Sequence, residues 1–571
     1  MVKIYTGKEV INRELIPTRG FQSSIDYKVI AGLGKQSVDS VVIIWPNKTY
    51  ASLIRPAINK VHAVTQQATD KPYYFKLAQA TALLSPVTSS FDKHAEDDFI
   101  DSYYDRNIPM MISHEGPATA VADVNKDGLD DIFIGGASRQ AAQLYLQTNN
   151  GFIKKVTPAF DANAIAEDVA AVFFDIDSDG DADLLTGSGG NNRDSGSTEL
   201  QNHLYRNDGK GNFTEAVGSL PHTTANTSVM APNDFDGDGD TDVFIGSRSF
   251  PLNYGPTPPS FIWVNDGKGN FSELNATSYT ALHTVGLVTS ATWADVNGDA
   301  IKELIVVGEW MAPQIFAYKN NQFTPLATGL ENLMGWWQSV TAADLDGDGD
   351  MDFVLGNMGE NTYLQPNATN PVKMWMNDFD GNGAPEKIIT RTIEGQDMPV
   401  FLKRDLTDQV VSLKKQNLKH IDFAKKSIQQ LFDANAMKNV QVKTFNYNSS
   451  CIAVNNGKGG FTVNPLPVMV QLSSVNAISV TDVNNDGKPD IVAGGNKLSW
   501  LPQFCRLDAS LGHVLINKGA NNFEWLPNQQ SGLQLRGEIK HIELVKRLKS
   551  KALLVVRNNE LPVLYQLQVK K

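Results

Sequence analysis

An all-β fold built from repeated four-stranded units is predicted by three features of the 571-residue sequence. A nonapeptide recurs seven times, short apolar runs flank it, and a second recurring segment reads as a hairpin. Length alone asks for a repeat or for two domains, because one ordinary core rarely extends through so long a chain. The 45 glycines, many in Asn-Gly or Asp-Gly pairs, and the 26 prolines favour short strands joined by tight turns.

The nonapeptides are DVNKDGLDD from Asp123, DIDSDGDAD from Asp175, DFDGDGDTD from Asp234, DVNGDAIKE from Asp295, DLDGDGDMD from Asp344, DFDGNGAPE from Asp378 and DVNNDGKPD from Asp482. Position 1 is always Asp, positions 3 and 5 are Asp or Asn, position 9 is Asp or Glu, and six of the seven copies have Gly at 6. Carboxylates this crowded repel one another, more strongly as water is excluded, so the pattern predicts a cation. Positions 1, 3 and 5 point oxygens to one side of a tight turn, Gly at 6 reverses the chain, and position 9 closes the cage. Hard divalent cations, calcium above all, suit such a donor set. The expected ligands are Asp123, Asn125, Asp127 and Asp131; Asp175, Asp177, Asp179 and Asp183; Asp234, Asp236, Asp238 and Asp242; Asp295, Asn297, Asp299 and Glu303; Asp344, Asp346, Asp348 and Asp352; Asp378, Asp380, Asn382 and Glu386; and Asp482, Asn484, Asp486 and Asp490, for up to seven ions. An EF-hand is excluded, because position 12 is Ile134, Thr186, Ile245, Val306, Leu355, Ile389 or Ala493 where that motif needs Glu.

Runs such as TAVAD and VAAVFFD before the loops, and DIFIGG and DVFIGS after them, make each unit strand, loop, strand. HLYRNDGKGNF (203–213), FIWVNDGKGNF (261–271), CIAVNNGKGGF (451–461) and HVLINKGANNF (513–523) are hairpins around Asn-Gly-type turns. Two hairpins make a four-stranded blade. The first five loops are 52, 59, 61 and 49 residues apart, close to the size of a propeller blade. The next gaps, 34 and 104, imply a trimmed or merged blade and an insertion. The apolar spacing of Val410, Val411, Leu413, Leu418, Ile421, Ile428, Leu431 and Phe432 predicts two helices within 405–439, with Lys414, Lys415, Lys419, Lys425 and Lys426 on a solvated face. Residues 539–568 read as a last blade without an acidic loop. The expectation is a β-propeller of about eight blades, or seven if the loops at 344 and 378 share one. FKLAQATALLS (75–85) is the expected closing strand. The expected domains are a small β domain over 1–70, a linker with the closing strand over 71–113, and the propeller over 114–571.

A net charge of −13 argues against a nucleic-acid partner. That total includes 28 carboxylates in the nonapeptides, and seven divalent cations would bring it to +1. No apolar run is long enough to span a membrane. Cys451 and Cys505 leave pairing and isolation both open. HExxH, GxSxG and GxxxxGK[ST] are missing from the sequence, so no catalytic residue is assigned. His114 and His283 read as structural, and Arg506 and Asp508 as polar loop residues. The aromatics of GEWMAP (308–313) and GWWQS (335–339) fit inter-blade packing or a sugar-stacking platform.

The repeated DxDxDGxxD loop between strands resembles the FG-GAP (VCBS) repeat of integrin-α-like β-propellers, over roughly 114–535. GFQSS (20–24) and AGLGKQSVDSVVIIWPNKT (31–49) resemble the ASPIC/UnbV domain, with Ala300 of the fourth loop and the last blade departing from the repeat pattern. The resemblance implies calcium in the loops and an extracytoplasmic location (cell surface, periplasm or outside the cell). It also implies that the chain is the C-terminal part of a longer exported protein, although MVKIYTGKEVINREL has no export-signal pattern. The expected function is a monomeric, calcium-stabilised binding or adhesion module for a glycan or protein, with the presence of catalysis left open. The alternatives are a calcium-containing polysaccharide lyase or other carbohydrate-active enzyme, and an architectural spacer.

Overall fold

The computed structural model describes residues 1–7, 9–74, 82–548 and 550–567. The chain divides into two compact units, Met1–Ala80 and Thr81–Lys571. In the first, an antiparallel sheet runs in the order Glu9–Arg13, Val2–Thr6, Ser40–Ile44, Thr49–Ile54, Lys71–Pro72. Trp45 Nε1 donates to Asp70 at 2.8 Å and ties the end of the third of these strands to the chain leading into the last.

Among the described residues the second unit holds seven antiparallel blades of four strands, the fourth with a short extra strand, Gly335–Trp336, beside its second. Their first strands are Thr119–Ala122, Asp168–Phe174, Asn226–Asn233, Leu287–Ala294, Ser339–Ala343, Val475–Thr481 and Glu538–Arg547, here numbered blades 1 to 7. Each first strand contacts the next, and that of blade 7 contacts that of blade 1, so the sheets close a ring. The last seam is made by chain from the other end: Leu84–Val87 pairs antiparallel with Val563–Leu567 as the fourth strand of blade 7. The expected closing segment, 75–85, overlaps this strand only at its end, and 75–81 lie outside the described residues.

The expectation of about eight blades gives way to a ring of seven, for a reason visible in the spacing. Thirty-four residues are too few for four strands, and the chain leaves blade 5 after its second strand, Asp352–Gly356. It then builds a separate four-stranded sheet (Gln396–Pro399, Glu386–Ile393, Val372–Asn377, Gln441–Phe445) that carries the loop from Asp378. It returns as the third strand of blade 5, Cys451–Asn455, with Leu355 opposite Cys451. The insertion therefore contains a sheet as well as helices. Instead of two helices there are four short ones, Lys403–Gln409, Ser412–Gln416, His420–Phe423 and Ile428–Leu431. Val410 and Asn417, both poor helix formers, sit at the breaks with non-helical backbone. Val411, Leu418 and Ile421 are consequently exposed, while Leu413, Ile428 and Leu431 are buried.

Apolar clusters fill the gaps between adjacent blades; Val124, Phe133, Phe160, Leu184, Tyr205 and Phe213, for example, join blades 1 and 2. The tryptophans of GEWMAP and GWWQS are packing groups. Trp310 lies 4.9 Å from Trp336, and Trp336 lies 5.6 Å from Trp500, in the cluster beneath the inserted sheet. Both cysteines are free, Cys451 buried and Cys505 exposed.

Before blade 1, residues 100–116 cross one end of the ring. Asp101 accepts from Ser113 Oγ and Asn191 Nδ2, both at 2.5 Å, Asp105 pairs with Lys387 of the inserted sheet, and Leu501 N donates to Pro109 O at 2.8 Å. The central channel is thereby capped at this end, where Ile112 and Glu115 line it.

Candidate metal loops and the brackets that hold them

All seven nonapeptides fold the same way. The Oδ2 of position 1 accepts the backbone N–H of position 6, at 2.7 to 3.1 Å, from Gly128, Gly180, Gly239, Ala300, Gly349, Gly383 and Gly487. Position 6 lies in the left-handed region throughout, from φ +67° at Ala300 to +97° at Gly239. Position 4 does as well, although Lys126, Ser178 and Asn485 occupy it in three copies. Position 2, to which the sequence reading gave no role, is apolar and buried in every copy: Val124, Ile176, Phe235, Val296, Leu345, Phe379 and Val483. Each loop is thus hooked to the core beneath it by one side chain.

Position 9 does more than close a cage. The Oδ1 atoms of Asp131, Asp183, Asp242, Asp352 and Asp490 accept the N–H of Gln147, Asn207, Asn265, Asn455 and Asn517 on the third strand of the same blade, at 2.7 to 2.9 Å. Except in Asp242, the other oxygen accepts the N–H of position 2. Glu303 and Glu386, one methylene longer, accept the position 2 N–H of Val296 and Phe379. Desolvation pushes Asp131 and Asp242 up to about 7, and Asp183 and Asp352 up to about 6, against the lowering from these amide bonds. Burial raises Glu303, Glu386 and Asp490 as well.

The asparagines that open the hairpin segments then link one blade to the next. Asn207 Nδ2 donates to Val124 O of blade 1 at 2.8 Å, and Asn265 Nδ2 to Ile176 O of blade 2 at 2.8 Å. Asn455 Nδ2 donates to Val296 O of blade 4 at 2.9 Å, and Asn517 Nδ2 to Leu345 O of blade 5 at 2.7 Å. In blade 4 an aromatic contact stands in its place, Tyr318 against Phe235 at 4.7 Å. The signal was present in the sequence as an Asn recurring at one place before the turn glycine, but only the turn was read from it.

Among the described residues, four groups of three carboxylates have ligand atoms within 4.8 Å of one another: Asp175, Asp177 and Asp183; Asp234, Asp236 and Asp242; Asp344, Asp346 and Asp348; and Asp378, Asp380 and Glu386. Position 9 joins three of these groups, whereas in the loop from Asp344 positions 1, 3 and 5 converge and Asp352 serves the bracket. The loops from Asp123, Asp295 and Asp482 form no such group, and in two of them the position 3 amide is turned inward: Asn297 Nδ2 donates to Glu303 at 2.5 Å and Asn484 Nδ2 to Asp486 at 3.0 Å. Buried oxygens without a hydrogen-bond partner occur in three of the four groups, at Asp177 Oδ1, Asp242 Oδ2 and Asp346 Oδ1. All-oxygen, anionic donor sets with unsatisfied buried oxygens fit a hard divalent cation. These four groups could hold metal ions.

Residues 1–71 match the ASPIC and UnbV family model, and residues 123–186, 190–245, 234–306 and 295–355 match the FG-GAP-like repeat model. No curated protein matches the chain significantly. Similar solved structures include the V. cholerae biofilm matrix protein Bap1, at 11% identity and TM-score 0.37 over 84% of this chain and 90% of that one. Another is the Dos1 propeller, at 11% and 0.36 over 80% and 93%. A third is Saccharomyces cerevisiae Sqt1, at 10% and 0.39 over 81% and 100%. No helix among the described residues is long and apolar enough to cross a membrane. The chain is a β-propeller protein of FG-GAP-like repeats that also carries an ASPIC and UnbV domain.

Proposed function

We propose that this protein is a calcium-stabilised, extracytoplasmic binding module whose rigid ring presents loops to a glycan or protein partner. The observation that carries the metal half is the convergence of three carboxylates in each of four loops, with unpartnered oxygens at Asp177, Asp242 and Asp346. Calcium there would neutralise the loop carboxylates and tie together the two strands that each loop joins; the ion's work is structural. Rather open oxygen sites of this kind fill at the roughly millimolar calcium found outside cells, which supports the exported location. The binding half is supported by the architecture: hydrogen-bonded brackets hold the blades, so the remaining loops are free to vary on a fixed scaffold.

The experiment is a thermal melt of the full chain with calcium and with excess chelator, followed by a glycan array in calcium. Chelation should lower the melting temperature by several degrees, because a ligand that binds only the folded state stabilises it. No change would remove structural calcium from the reading. Retention of a glycan without cleavage supports the binding module, and release of unsaturated, ultraviolet-absorbing sugar ends would replace it with a lyase.

A further inference from the structure

The blind end of the central channel has features that neither the loops nor the brackets require. Beneath the crossing segment lies a cavity of about 290 Å³, lined by the first strands of blades 2 to 7. The register of the first strand slips by one residue in blades 2, 3, 4, 6 and 7, at Val169, Ser228, Thr289, Asn476 and Lys540, and all five residues line the cavity. A bulge bends the strand locally and re-aims a side chain. For three of them the bulge has a structural use. Ser228 Oγ donates to Val288 O at 2.7 Å, Thr289 Oγ1 to Trp337 O at 2.9 Å and Asn476 Nδ2 to Ile539 O at 3.2 Å, each reaching the next blade.

The charges at the capped end are less completely used. Arg248, 4% exposed, is shared between Glu115 and Glu309 through its two terminal nitrogens, and its Nε has no partner. Lys540 sits 2.9 Å from Glu538. Lys497, whose side chain is also 4% exposed, reaches Glu538 only at 3.9 Å, and among the described residues its ammonium has no hydrogen bond, although Glu115 is also among the charges near it. Glu538 does not need it, since Lys540 and the Leu498 N–H at 3.1 Å already serve that carboxylate. An ammonium on a buried side chain, with its ion-pair partner as far as 3.9 Å away, is costly unless something else accepts from it. Two amide oxygens that line the same cavity, Asn226 Oδ1 of blade 3 and Asn476 Oδ1 of blade 6, are likewise buried and unpartnered.

We propose that the capped end of the channel binds a small hydroxylated carboxylate of the sugar-acid class. Lys497 Nζ and Arg248 Nε meet its carboxylate, and Asn226 and Asn476 accept from its hydroxyls. The cavity is near the lower limit of small-molecule sites, about 300 Å³, which suits a single sugar-sized ring. The proposal goes beyond the surface-binding reading, because a polymer held on the rim leaves the channel free.

Calorimetric titration of the full chain with glucuronate, glucose and acetate tests it. Glucuronate should bind saturably and at least tenfold more tightly than glucose or acetate. Absence of binding, or equal affinity for glucose, overturns the anion site, and equal affinity for acetate overturns the sugar-acid class. Lys497→Met, which leaves Glu538 paired with Lys540, should fold, lose at least tenfold in glucuronate affinity and keep any glycan retention by the rim; unchanged affinity overturns the assignment. Independently of any variant, glucuronate-soaked crystals should place a carboxylate oxygen about 3 Å from Lys497 Nζ, and density anywhere else refutes the site.

Discussion

The loops from Asp175, Asp234, Asp344 and Asp378 and those from Asp123, Asp295 and Asp482 share one backbone and differ in charge. Both classes fold position 1 onto the position 6 amide, bury position 2 and anchor position 9. The first class has Asp at position 3 and no lysine; the second has Asn at position 3 and one lysine each, Lys126, Lys302 or Lys488. Only the first class assembles three carboxylates within 4.8 Å among the described residues. The loop shape is therefore a property of hydrogen bonds that need no ion. The repulsion that a cation would relieve comes from the charge left over after those bonds are made.

The largest effect should come from the anchor that both classes share. Asp490→Ala strands the N–H groups of Val483 and Asn517, and Asp183→Ala strands those of Ile176 and Asn207. Two unsatisfied buried donors cost about 4 kcal/mol. Urea denaturation with and without calcium separates the classes: the loss at Asp490 should be the same in both conditions, and the loss at Asp183 larger when calcium is present. Equal calcium dependence at the two positions would erase the distinction.

Next in size is the charge itself. Asp236→Asn gives the loop from Asp234 the donor set of the second class, and at calcium a hundredfold above the site's dissociation constant it should forfeit up to about 2.7 kcal/mol. In chelator the same change should be neutral or slightly stabilising, because one repulsive carboxylate is gone. Calcium titration should show one fewer ion at the affinity of the first class. Asn484→Asp is the converse, costing stability in chelator and raising calcium affinity; identical calcium binding by both variants and the parent would break the comparison.

A comparable loss of about 2 kcal/mol is expected from Asn455→Leu, which removes the donor to Val296 O and Met351 O, both inside the blade 4 to blade 5 seam. This loss should ignore calcium entirely, since the Asn455 side chain touches no carboxylate of the loop and its backbone N–H keeps its bond to Asp352. Sensitivity to chelator would mean that the bracket and the ion form one unit.

How far these features could be read from sequence depends on whether they are periodic. Loops, flanking strands and turn glycines recur at fixed offsets, so the blade and its acidic loops were legible from residues alone. The apolar position 2 and the hairpin Asn recur just as regularly, and were passed over because burial and the carbonyl of a neighbouring blade are properties of the ring. The ring of seven was obscured because blade 5 is split by a sheet of its own, and Trp310 and Trp336 pack beneath that sheet. The channel end was out of reach. Glu115, Arg248, Lys497 and Lys540 lie up to hundreds of residues apart and share no motif; Arg248 and Lys540 sit at register slips that no local pattern marks, Glu115 in the crossing segment and Lys497 beyond a strand end.

The smallest effect tests whether backbone geometry is as uniform across the classes as the hydrogen bonds suggest. Ala300 holds φ +67° where six other loops have Gly, and still donates to Asp295 Oδ2 at 2.8 Å. A left-handed L-residue costs about 1 to 2 kcal/mol, while glycine loses about 0.4 to 1 kcal/mol more chain entropy on folding. Ala300→Gly should therefore gain on the order of 0.5 kcal/mol. Gly487→Ala, in the same class, supplies the reverse: its added Cβ would meet nothing within 4 Å, so any loss of stability comes from φ +87° alone. Differential scanning calorimetry of the pair should show shifts of opposite sign, on the order of 1 °C, in calcium and in chelator alike. Shifts of the same sign would mean that the loop from Asp295 has a backbone of its own, and the two classes would then differ in more than charge.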